Sequence, residues 1–118
     1  MTTLRRMKTY TGSQGYVYQY YFVGKRPALA GEAATEYIFD VTSDRKTKFS
    51  VSVLLMDDAL HEWVSKYGRA LTDAEQYGAA KMRLFRGFDE IEDMMADGRR
   101  LAVNAAMLEE VLAALGVR

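Results

Sequence analysis

Residues 15–26 read GYVYQYYFVGKR, and the fold turns on how this stretch is understood. Tyr16, Tyr18, Tyr20 and Phe22 recur at every second position, and Lys25 and Arg26 follow. A period of two places alternate side chains on opposite faces of a strand. Tyr16–Val23 is therefore read as the first strand, with Tyr16, Tyr18, Tyr20 and Phe22 on one face. Val17, Gln19, Tyr21 and Val23 take the other.

The same rhythm returns twice. Residues 35–42 (TEYIFDVT) set Tyr37, Phe39 and Val41 against Glu36, Ile38, Asp40 and Thr42. Residues 48–54 (KFSVSVL) set Phe49, Val51 and Val53 against Ser50 and Ser52. The polar turn SDRKT at 43–47 joins these two into a hairpin, and the first strand completes an antiparallel meander. Between them lies GKRPALAGEAA, residues 24–34, which holds the chain's single proline, Pro27. It is longer than a tight hairpin needs and is read as a loop, the best candidate for a mobile or functional one. Residues 1–15 are polar and turn-rich and are expected to be mobile. GSQG at 12–15 leads into a strand, not a helix, so it is a turn and not a phosphate loop.

From Asp57 the period changes to that of a helix. DDALHEWVSKYG carries Leu60, Trp63, Val64 and Tyr67 as a stripe, with Asp57 or Asp58 at its start and Gly68 as its stop. TDAE at 72–75 is a capping box, opening a helix predicted to reach about Ala96. Tyr77, Ala80, Leu84, Phe88, Ile91 and Met95 form its stripe, widened by Met82, Phe85 and Met94. Asp97 and Gly98 end it, Arg99–Val103 is a short extended segment, and Asn104 caps a last helix bearing Leu108, Val111, Leu112 and Leu115.

The expected fold is thus α+β: a three- to four-stranded antiparallel sheet with three helices packed on one face. With strands first and helices after, a parallel βαβ sheet is not expected. The 118 residues suffice for one domain with its own core. Its opposite sheet face is mixed, and Val17, Tyr21, Val23 and Ile38 on it form a candidate interface for self-association as a dimer, the long helix being the alternative contact.

Composition restricts the chemistry. There is no cysteine, hence no disulfide, thiolate ligand or cysteine nucleophile. No apolar run approaches the roughly 20 residues of a membrane span, and MTTLRRMKTYTG lacks the apolar core of a signal peptide. A cytoplasmic location without membrane partners is expected. The formal net charge is zero, but residues 1–48 hold eight basic and four acidic side chains and residues 49–118 eight and twelve. Such a dipole suits association of like chains as well as it suits a basic patch.

His61 is the lone histidine, and no second histidine or cysteine exists to build a zinc site around it. The acidic run DEIED, residues 89–93, reads as the solvated side of the long helix. HEWVS at 61–65 begins like a metalloprotease helix but has Ser65 where the second histidine belongs. No cofactor, metal or catalytic residue is assigned, and the enzyme reading stays below that of a binding domain. One recognition mode competes. Nucleic-acid binders stack bases on sheet aromatics beside basic residues, and Tyr18, Tyr20, Lys25 and Arg26 supply both ingredients. The core reading of these tyrosines is preferred, because they continue the face of Phe39 and Val51. A third possibility is a small-ligand pocket or enzyme between the sheet and the 24–34 loop.

Residues 35–118 resemble in pattern a family of small bacterial proteins, a domain of unknown function. The shared order is a short sheet, a helix of the ALHEWVSKYG kind, a long capped helix and a DG-R-x-L segment before a last helix. The resemblance implies no activity and carries no site residues.

Overall fold

The aromatic strand is longer than its alternation shows and lies second in a five-stranded sheet. In a computed structural model, residues 7–29 and 31–117 are described. The strands are β1 (Lys8–Thr11), β2 (Val17–Pro27), β3 (Ala34–Thr42), β4 (Phe49–Met56) and β5 (Arg100–Val103). They stand in the order β1-β2-β3-β4-β5. The helices are α1 (Asp57–Tyr67), α2 (Asp73–Glu90), α3 (Met94–Asp97) and α4 (Ala105–Ala114). The class is α+β, with one more strand and one more helix than the upper expectation.

The sheet is mixed, not antiparallel. The first three pairings are antiparallel, but β5 runs parallel to β4, from Ser52 opposite Arg100 to Leu55 opposite Val103. Three helices separate these strands and return the chain to the start of β4, so β5 leaves in the same direction. The outer edge of β5 is not bare: Arg83 Nε donates to the Ala102 carbonyl at 3.0 Å.

Residues 8–11, expected to be mobile, form β1. Lys8 pairs with Tyr20 and Thr11 with Val17. The glycine turn closes this hairpin, with the Gly12 N–H donating to the Tyr16 carbonyl at 2.8 Å. The hairpin is fastened to the end of α2. Tyr10 Oη and the Ser13 N–H each donate to the Asp89 carboxylate at 2.9 Å, and Ser13 Oγ donates to the Asp89 carbonyl at 3.0 Å. A Cβ on Gly12 would stand 2.7 Å from the Phe88 carbonyl oxygen, so this close approach needs glycine. Arg5 and Arg6 lie outside the described residues.

The expected loop at 24–34 is shorter, because β2 continues through Gly24–Pro27 opposite Thr35–Ile38. Its register shifts between Phe22 and Gly24, a bulge at Val23 that ends the simple alternation. Proline is admitted at the strand's last position, where no further ladder bond is required. The connection is closed by the Ala28 N–H donating to the Ala34 carbonyl at 2.9 Å. Ala30, within it, lies outside the described residues.

The core is one contiguous cluster between the inner sheet face and the helices. Tyr18, Tyr20, Tyr37, Phe39, Val41, Val51, Val53 and Leu55 enter it from the sheet. Leu84, Phe88, Trp63, Leu108 and Val111 meet them from above. Tyr16, expected inside, is 45% exposed, because it precedes the strand at the sheet's end. The Tyr37 hydroxyl is buried without a hydrogen-bond partner among the described residues.

Helix signals act where they stand. The capping box closes in both directions, with the Glu75 N–H donating to Thr72 Oγ1 at 3.1 Å and the Thr72 N–H to Glu75 Oε1 at 2.9 Å. Gly68, at φ 73°, ends α1, and Asn104 accepts from the Met107 N–H at 2.9 Å to start α4. Neither Asp57 nor Asp58 caps α1. The helix follows β4 directly, its N-cap is Met56, and the Asp57 N–H donates to the Ala33 carbonyl at 2.9 Å. The buried side of α1 is Ala59 and Trp63, while Val64 and Tyr67 are exposed.

The long helix does not reach Ala96. It ends at Glu90, Ile91 is extended, and Asp93 caps the separate α3 by accepting from the Ala96 N–H at 3.1 Å. A continuous helix would carry Met94 about 10 Å past Gly87 along the axis, beyond the sheet. The break folds Met94 back against Gly87, where its Sδ and Cε lie 3.5 Å from the site of a Gly87 Cβ. Met94 is buried and Met95, expected on the stripe, is exposed.

One pH dependence follows from the capping box. Arg69 grips Glu75 through both carboxylate oxygens, at 2.9 and 3.0 Å. That fork, and then the Thr72 N–H, hold the Glu75 carboxyl at about 2, below its ordinary 4.5. The contribution to stability is complete above about pH 4.5 and is lost as pH falls toward 2. Thermal melts of Glu75→Gln should therefore approach those of the parent as pH drops through this window. A constant difference from pH 6 to pH 2 would refute the assignment.

Candidate functional site

The helices cover one face of the sheet, and the other face carries the four candidate interface residues. Val17 and Val23 are 48% and 38% exposed, and Tyr21 and Ile38 are half-buried. Tyr21 stands opposite Asp40, and Ile38 lies between Gly24 and Ser52. The structure thus brings Val17, Tyr21, Val23 and Ile38 onto two neighbouring strands.

Polar groups between them are tied to one another. Tyr21 Oη donates to Asp40 Oδ2 at 2.7 Å, Ser50 Oγ lies 3.4 Å from Asp40 Oδ1, and Lys48 Nζ stands 5.5 Å above the Tyr21 ring. One step along, Arg26 Nε donates to Glu36 Oε1 at 2.8 Å and Ser52 Oγ to Glu36 Oε2 at 2.5 Å. The Ser52 hydrogen bond, and after it that from Arg26, hold the Glu36 carboxyl below its usual range. Arg100 on β5 reaches across β4 to pair with Glu32. Leu54, opposite Glu36 on the same face, is buried. The alternation of 35–42 placed Glu36 and Asp40 on this face. Their cross-strand partners needed the register, and Glu32 and Arg100 carried no signal at all.

The four candidate contact residues are not brought together. Tyr18 and Tyr20 are 3% and 4% exposed, on the helix side. The Tyr18 ring stacks on Phe88 at 4.2 Å and 8°, and Tyr20 meets Phe85 edge-on at 5.5 Å. As neighbours in a strand Lys25 and Arg26 take opposite faces, and the bulge at Val23 decides that Lys25 is the one on the helix side. Lys25 stands over the Tyr37 ring at 5.9 Å and 4.0 Å from Asp73, on the helix side. Arg26 joins Glu36 on the outer face.

His61 is exposed on α1. Among the described residues, no group of three or more histidine, cysteine, aspartate or glutamate side chains is placed to hold a metal ion. The four clefts described are lined by residues other than 24–34. No helix among the described residues is long and apolar enough to cross a membrane. No family model, curated protein or solved structure matches the chain.

Proposed function

We propose that this chain is a non-enzymatic interaction or accessory domain of the bacterial cytoplasm that self-associates through the sheet face opposite its helices. The observation that carries the reading is the make-up of that face. Val17, Tyr21, Val23 and Ile38 supply apolar contact area, and their charged neighbours are already paired across strands. Arg26 is matched by Glu36 and Arg100 by Glu32, so the face presents both signs in alternation. A two-fold axis sets each side chain against a different one of the same surface, and an alternating face is then its own complement. A polyanion would instead meet a carboxylate beside each arginine, which is poor ground for phosphate neutralisation.

Sedimentation equilibrium should show a dimer at micromolar concentration. Ile38→Asp would bury an uncompensated charge in the contact and should weaken it about tenfold or more. Tyr21→Glu should do the same by setting a second carboxylate beside Asp40. Val64→Asp on the helix side should leave association unchanged. A monomer at several hundred micromolar ends this reading. Salt-sensitive binding of a single-stranded oligonucleotide at about 50 mM salt would replace it with nucleic-acid recognition.

A further inference from the structure

At the end of the sheet farthest from the β2–β3 connection, a cleft of about 440 Å³ opens between β2, the start of β4 and α3. It is lined by Tyr16, Tyr18, Phe49, Glu92, Asp93 and Asp97, with Ser43 and Met94 completing it. Three carboxylates and three aromatic rings face it, and among the described residues no basic side chain lines it. Among the described residues none of the three carboxylates is in a salt bridge. Asp93 spends one oxygen on the Ala96 N–H, and its other oxygen has no described partner.

A second observation is independent of the acids. Tyr18 is 97% buried by its 3% exposure, and its ring is fixed on Phe88. Yet it lines the cleft, and among the described residues its hydroxyl has no hydrogen-bond partner. Burial, and after it the neighbouring Tyr16 and Asp93, push the phenol up, so the hydroxyl stays neutral at physiological pH. The hydroxyl is not fully enclosed, so it is open to the cleft and bonds whatever enters. Tyr16 meets Tyr18 edge-on at 6.5 Å, so one ring is held and the other is half-exposed beside it.

We propose that this cleft binds an organic cation, an ammonium or guanidinium group, between the Tyr16 and Phe49 rings and the carboxylates of Glu92, Asp93 and Asp97, with the Tyr18 hydroxyl oxygen accepting a hydrogen bond from one of its N–H groups. The aromatic faces supply cation–π attraction and the carboxylates supply charge. The Arg99 guanidinium, 5.7 Å from the Phe49 ring, faces the adjoining cleft with Lys48 and Met95. The site lies on the helix side of the sheet, away from the face used for self-association, so the two readings fail separately.

The test is an NMR titration of the full chain with three probes: spermidine, N-acetyl-lysine methylamide and N-acetyl-arginine methylamide. Sodium chloride at matched ionic strength is the reference. Saturable shifts of the Tyr16, Tyr18 and Phe49 ring resonances are expected with at least one probe. Tighter binding of the capped amino acids points to a side chain of a peptide, and tighter binding of spermidine to a free amine. Tyr18→Phe keeps the stack on Phe88 and should weaken binding about tenfold, the scale of a charge-assisted hydrogen bond. Glu92→Gln with Asp97→Asn, two exposed positions that spare the Asp93 cap, should weaken it at least as much. Tyr16→Leu serves as a third variant, at an exposed ring. Shifts that match those of sodium chloride, or affinities unchanged in all three variants, overturn the proposal.

Discussion

Phe88→Ala should lower the unfolding free energy by about 3–5 kcal/mol, a large part of the roughly 5–15 kcal/mol a domain of this size holds. Phe88 is fully buried at the meeting point of sheet and helix. It stacks on Tyr18, and its centroid lies 5.7 Å from that of Tyr10, 6.2 Å from Tyr20 and 6.4 Å from Phe85. Truncation would leave a void among rings held by two strands and α2, which cannot all collapse into it. Phe88→Leu retains most of the volume and should cost markedly less. Equilibrium urea unfolding of the two variants decides the matter. A loss below about 1 kcal/mol for the alanine variant would mean that the aromatic cluster is not the centre of the core.

Asp89→Ala should cost about 2–3 kcal/mol and release the first hairpin. Its carboxylate accepts from Tyr10 Oη and the Ser13 N–H, and alanine loses both bonds while its backbone carbonyl keeps the one from Ser13 Oγ. Hydrogen bonds to a charged acceptor are worth more than neutral ones, though partial exposure reduces these. The effect should be local. Amide exchange at Lys8–Thr11 should quicken well before that of β3 and β4, because β1 is short and lies at the end of the sheet order. Tyr10→Phe removes a single hydroxyl and keeps the ring stacked 4.3 Å from Phe85, so it should recover most of the loss. Uniform acceleration across the sheet would show that the clasp holds the whole fold and not one hairpin.

These two residues mark the boundary of what the chain's order reveals. Phe88 was legible, because a stripe three and four apart identifies the buried side of a helix. Asp89 was not: in DEIED it is one acid among four, and only the approach of a turn more than seventy residues away separates it from Glu92. The candidate interface divides in the same way. Alternation assigned Val17, Tyr21, Val23 and Ile38 to one face, whereas the pairing of Arg26 with Glu36 and of Arg100 with Glu32 depends on a bulge and on a parallel fifth strand. The cleft beside Tyr18 joins residues 16–18, 43–49 and 92–97; Glu92 and Asp93 read only as a solvated helix side and Asp97 only as a helix stop.

What this sequence determined by itself is therefore local: which residues face inward along each strand, where the capping box opens α2, where Gly68 and Asn104 bound their helices. Each of these is settled by dihedral preference and burial within a few neighbouring residues. Tertiary structure decided the rest. Whether the long helix ran on past Glu90, whether residues 8–11 formed a strand, and which way β5 pointed are competitions between nearly equal local conformations. Contacts with Gly87, Asp89 and β4 tip them, and such contacts exist only once distant parts of the chain have met.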